Sequence, residues 1–234
     1  MLRGFSFDSD MILMYVARIF AILIAIPIHE SAHAWVSSLL GDPTAKNLGR
    51  ISLNPLRHFD MIGTLCLLLI GFGWAKPVPT NPRYFSNRKA GMALSSFAGP
   101  LSNFLMAYFF MILWKVFHYL YFTTSPYPFI NVLRILCNYT VAINIVLAVF
   151  NMLPVPPLDG SRIFLLVLPE KAYFSIMRVE RYIMFVMFAL LWSGFLNRPL
   201  SIMRDGMFGI LDSATRFADV AMRILLTPSS TAIL

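Results

Sequence analysis

Between residues 11 and 28 the chain carries one charge, Arg18, and the apolar helical pattern runs on to about residue 40, where Gly41-Asp42-Pro43 stops it. That exceeds the roughly 20 residues a helix needs to cross a bilayer, where every backbone polar group must be bonded within the element itself. Composition agrees: 58% of the 234 residues are hydrophobic and 13% charged, with mean hydropathy +0.71, against roughly 25% charged in a soluble domain. The expected class is an all-α multi-span membrane protein, a helical bundle of about four to six transmembrane helices. The net charge of +8 does not indicate nucleic acid, because the basic residues flank apolar segments instead of forming one soluble patch. Cys66 and Cys137 lie in apolar stretches without the spacing of a disulfide framework or a Cys-type zinc site, and read as packing residues. The first run, preceded by Arg3, Asp8 and Asp10 and followed by no small-residue cleavage pattern, is expected to be retained as a span.

Near the end of this run stands Ile28-His29-Glu30-Ser31-Ala32-His33. On a helix His29 and His33 share one face and can bind one ion, while Glu30 is turned about 100° away, out of coordination but within reach of a water as general base. This is the spacing zinc hydrolysis requires, and Zn²⁺ with three protein ligands keeps one position open. A chance match on an amphipathic helix competes with that reading. The apolar setting favours function, because ionisable groups inside membranes mark functional sites by default.

Residues 44 to 89 differ. Gly49, Pro55, Pro77, Pro79 and Pro82 break any long helix, and Lys46, Arg50, Arg57, Lys76, Arg83, Arg88 and Lys89 stand against Asp60 alone. The positive-inside rule places this irregular region on the cytoplasmic side. Within it Met61 to Trp74 is apolar but short and glycine-interrupted, so a re-entrant segment and a short helix both fit. A second long apolar stretch, 90 to 122, contains Gly99-Pro100-Leu101-Ser102-Asn103, which reads equally as a packing kink with a satisfied Asn103 or as part of a site. A third span, 129 to 153, runs into Asn151-Met152-Leu153-Pro154-Val155-Pro156-Pro157-Leu158-Asp159-Gly160. No Asp or Glu lies between Asp60 and Asp159, so Asp159 is the candidate third ligand, with helix capping as its alternative. If the first span runs outward to inward, His33 and Asp159 meet near the cytoplasmic face. Residues 172 to 197 are expected to span again, and 200 to 226, with six charges, to form an interfacial amphipathic helix.

These motifs in this order resemble the site-2 protease family (peptidase family M50) of intramembrane zinc metalloproteases, in its small bacterial branch without PDZ or CBS domains. The resemblance rests on His29 to His33, Gly49 to Pro55, Trp74 to Pro79, Gly99 to Asn103 and Asn151 to Gly160, over about residues 11 to 168. It implies that His29, His33 and Asp159 bind one Zn²⁺ per chain and that Glu30 is the catalytic base. Asn151 and Pro154, with Asn103 as a further candidate, would hold the substrate or the oxyanion. It also matches His58 and Asp60, which read as a loop-stabilising pair. The implied protein is a single integral membrane protease domain, 1 to 234, of the bacterial cell membrane, with its active site toward the cytoplasm. Its core is about 11 to 168 and its C-terminal span and amphipathic segment 172 to 226. Expected partners are a transmembrane protein or peptide substrate and the lipid bilayer, with no nucleic acid. A metal-dependent membrane transporter could also use intramembrane His and Asp but would have little need of Glu30. A catalytically inactive homologue that binds membrane proteins usually lacks the base or a ligand, and here all four residues are present.

Overall fold

The structure, a computed structural model, describes residues 9–63, 75–123 and 126–226. The first span is helix α1 (Ser9–Leu39), about 46 Å long. Ala17, Ala21 and Ala25 are fully buried, and His29, His33 and Ser37 continue the same four-residue stripe. Small side chains let neighbouring helices approach closely in a membrane, and here they lead into the histidine pair. Ile12, Val16, Ile19 and Leu23 form an exposed apolar face suited to lipid. The helix ends at Gly41, whose φ of 104° is left-handed backbone that glycine adopts at little cost.

A short helix α2 (Thr44–Asn47) opens the irregular region. Among the described residues this region is held by side chain to backbone bonds rather than regular pairing. Asp42 accepts from Thr44 N–H (2.9 Å) and Asn81 N–H (2.7 Å), and Arg50 donates to the Lys76 carbonyl (2.5 Å). Most of the Met61 to Trp74 segment, residues 64–74, lies outside the described residues.

Helices α3 (Arg88–Thr123) and α4 (Pro128–Asn151) complete the three helices long and apolar enough to cross a membrane among the described residues. Both pack against α1 and against each other, burying Ala107 and Met111 of α3 against Val141, Ile145 and Val149 of α4. Pro128 sits in the first turn of α4, where its missing N–H costs nothing. The prolines after Asn151 end α4, and the chain re-enters helix as α5 (Asp159–Phe164).

The C-terminal third departs from expectation. Residues 172 to 197 are not one span: α6 (Glu170–Arg178) and α7 (Glu180–Trp192) are separate helices, and α7 is about 20 Å long, short of the roughly 30 Å hydrocarbon core. At Gly194, with φ 75°, the chain turns by 87° into α8 (Asn197–Ala214), followed by α9 (Arg216–Leu226). If α7 and α8 form one bent span, the bundle has four. Helices α8 and α9 are amphipathic, as expected of 200 to 226, with Leu211, Ala218 and Met222 buried on one face and Leu211 set in the α3–α4 core.

Four of the six charges in this segment have ionic partners. Lys115, almost fully enclosed, donates to Asp219 at 2.6 Å and Asp212 at 2.9 Å, and Arg204 pairs with Asp205 at 2.9 Å. Lys115→Met leaves Asp219, which is mostly buried, without its cation. Losing the charge-assisted hydrogen bond to a partly exposed carboxylate costs about 1.5 kcal/mol. Thermal unfolding in detergent should show a lowered midpoint with earlier proteolysis of α9; an unchanged midpoint would mean that the triad does not hold the C-terminal helices.

Candidate metal centre

Three elements far apart in sequence meet at one point. His29 and His33, about 9 Å or more from the C-terminal end of α1, are buried at 8% and 9% exposure. Asp159 arrives as the first residue of α5, after the extended backbone of Leu158. His29 Nε2 and His33 Nε2 are 2.9 Å apart, and each lies 3.3 Å from Asp159 Oδ2. Among the described residues this is the group of His, Cys, Asp and Glu side chains whose ligand atoms converge as a metal would require.

Gly160 allows the Asp159 turn to close. A Cβ there would fall 2.3 Å from the Met152 carbonyl oxygen, so any larger residue pushes α5 away from the end of α4. Gly99 performs the same service from α3: its missing Cβ would lie 2.3 Å from His33 Nε2 and 2.5 Å from His29 Cε1.

That close approach lets α3 orient both rings. His33 Nδ1–H donates to the Ser95 backbone carbonyl at 2.7 Å, and His29 Nδ1 stands 2.5 Å from Asn103 Oδ1. Both partners are acceptors, so each imidazole carries a proton on Nδ1 and turns Nε2 toward the other ring and Asp159. Two Nε2 atoms and a carboxylate oxygen thus face one another, which requires shared protons or a cation among them. The edges of 2.9, 3.3 and 3.3 Å fit a cation, because a tetrahedral zinc with arms of about 2.0–2.1 Å separates its ligands by about 3.3 Å. The donor set passes the test of fit.

Glu30 follows His29 and is half-buried. Asn103 is fully buried with both ends of its amide engaged, Oδ1 toward His29 and Nδ2 donating to Asn144 Oδ1 at 2.8 Å. Asn151 Nδ2 donates back to the Leu147 carbonyl of its own helix at 3.0 Å, and Pro154 is exposed on the turn leading to Asp159. His58 is fully buried, and its Nε2–H donates to the Ser52 carbonyl, as does the Ser31 hydroxyl, both at 2.6 Å. The Ser52 segment is thereby tied to α1 beside Glu30, and burial holds His58 below the usual imidazole range. Asp60 accepts from Gly63 N–H at 2.8 Å.

The family model described as Peptidase family M50 matches residues 127–194. "Putative zinc metalloprotease YwhC" of Bacillus subtilis (strain 168) is 37% identical over 164 residues, covering 70% of this chain and 74% of that protein. The chain belongs to peptidase family M50. No solved structure matches it. The stretch of this M50 peptidase that the family model covers includes α4 and Asp159, while both histidines lie outside it. Its described residues form an all-α fold with three or four membrane-length helices, that of a membrane protein.

Sequence reasoning passed over Ser95 and Asn144. Ser95 acts through its backbone carbonyl, which no side-chain pattern reveals. Asn144 had a signal, an amide in an otherwise apolar span, but its partner Asn103 is 41 residues away.

Proposed function

We propose that this M50 metallopeptidase cleaves transmembrane substrates within or near the bilayer, with Zn²⁺ held by His29, His33 and Asp159 and with Glu30 as general base. The observation that carries the reading is the convergence of two imidazole Nε2 atoms from a helix of membrane length and one carboxylate oxygen, each 2.9–3.3 Å from the others. The whole chain, 1–234, serves as one membrane protease domain.

The chemistry that zinc supplies when bound is Lewis acidity, which lowers the pKa of water toward neutrality and polarises the scissile carbonyl. The chain's own residues do the rest. Glu30 takes the proton of the attacking water and returns it to the leaving amine. Asn151 can turn its amide from the Leu147 carbonyl toward the developing oxyanion, a donor of the kind that stabilises such charge. Ser95 and Asn103 keep the ligand rings in place, so little reorganisation is needed as charge develops.

A substrate helix hides its amides in its own hydrogen bonds and must unwind locally before attack. Water reaches the site from the cytoplasmic side, where Lys and Arg between 44 and 89 set the orientation and where the turn before Asp159 lies. In a bacterium the membrane is the cell membrane.

Cleavage of a test transmembrane substrate in detergent, before and after chelation, tests the function. Chelation should abolish cleavage and stoichiometric zinc should restore it; cleavage that survives complete metal removal would overturn the reading.

A further inference from the structure

Asn144 has no part in the reaction above, yet it is fully buried in the apolar helix α4 within one residue of the metal centre's own contacts. Its amide is part of a directed chain. Asn144 Nδ2 donates to the Thr140 carbonyl (2.8 Å), Asn103 Nδ2 donates to Asn144 Oδ1 (2.8 Å), and Asn103 Oδ1 faces His29 Nδ1 (2.5 Å).

The direction of this chain is fixed at its far end. A backbone carbonyl only accepts, so Asn144 must turn its NH₂ toward Thr140 and its oxygen toward Asn103. Asn103 must then meet that oxygen with its own NH₂, which leaves Oδ1 for His29. Flipping one amide sets like against like in a buried site, and flipping both sets Asn144 Oδ1 against the Thr140 oxygen. The alternative for His29, an Nδ1 lone pair facing an amide NH₂, would move its proton to Nε2 and block coordination. His33 needs no such chain, because its Nδ1–H meets the Ser95 backbone carbonyl directly.

We infer that Asn144 is a positioning residue which, through Asn103, holds His29 in the tautomer that offers Nε2 to the metal. The inference rests on His29 being a metal ligand, as proposed above.

Zinc affinity of the full chain in detergent, measured by chelator competition, tests it. Asn144→Leu lets the Asn103 amide turn either way, and zinc should bind about 10-fold more weakly, in the range seen when outer-shell partners of metal ligands are lost. Asn103→Asp in the Asn144→Leu background should restore the affinity, because either carboxylate oxygen accepts from His29 and no partner is needed to choose between them. Asn144→Asp, which when protonated donates to Thr140 and accepts from Asn103 as the amide does, should bind zinc within about 3-fold of the parent. It decides the matter if the leucine variant does not fold. Unchanged affinity in Asn144→Leu, absence of rescue in the double variant, or a 10-fold loss in Asn144→Asp would each overturn the inference. If the parent itself binds no zinc, it is the metal centre that fails, so the two readings are separated.

Discussion

Glu30→Gln keeps its zinc and loses cleavage, with kcat falling about 10³-fold, the middle of the range for removing a general acid–base group. Glutamine preserves shape and hydrogen bonding but cannot accept the proton of the attacking water. Glu30 lies outside the converging group His29, His33 and Asp159, so metal content should stay at the parent's level. Metal analysis alongside single-turnover cleavage checks both halves. A variant that cleaves at the parent's rate would remove Glu30 from the mechanism. One that loses zinc as well would make it a ligand or a structural support.

Gly99→Ala weakens zinc binding at least about 100-fold without unfolding the bundle. The new Cβ would lie 2.3 Å from His33 Nε2 and 2.5 Å from two further imidazole carbons, far inside any real contact. The atoms struck are those proposed to hold the ion, and the rings are tied to α3 by their Nδ1 bonds, so they cannot swing away without losing their orientation. Alanine is otherwise the better helix former by up to about 1 kcal/mol, and Gly99 lies inside a 36-residue helix. Circular dichroism should therefore be unchanged while bound zinc drops by at least about 100-fold in affinity, more than an orienting residue alone would cost. Normal zinc binding in this variant would mean that α3 does not crowd the histidines as described.

How much of this was legible in the sequence varies along the chain. Helices α1, α3 and α4 are the parts whose apolar runs are long and whose ends carry glycine or proline, so length and punctuation sufficed. His29 and His33 could be paired because they lie one helical turn apart. Asp159 could be joined to them because acidic residues are so sparse in the middle of the chain.

The C-terminal third was less legible because sequence displays charges without their partners. Asp212 and Asp219 argue for water until Lys115, about a hundred residues away, is found between them. The break in 172 to 197 turns on Gly194 and on a helix boundary at Val179 that carries neither glycine nor proline. Asn103 was legible as a polar group in a span, but its task was not. Whether an amide faces substrate or a histidine depends on which helix lies across from it, and that is set by the packing of α3 on α1 and α4.

The central claim is that one zinc sits among His29, His33 and Asp159. The most direct measurement is anomalous scattering at the zinc edge from crystals of the zinc-loaded, cleavage-competent protein. The account predicts a single strong peak about 2.0–2.2 Å from His29 Nε2, His33 Nε2 and Asp159 Oδ2. A peak elsewhere, or none among these three atoms in protein that cleaves, would contradict it.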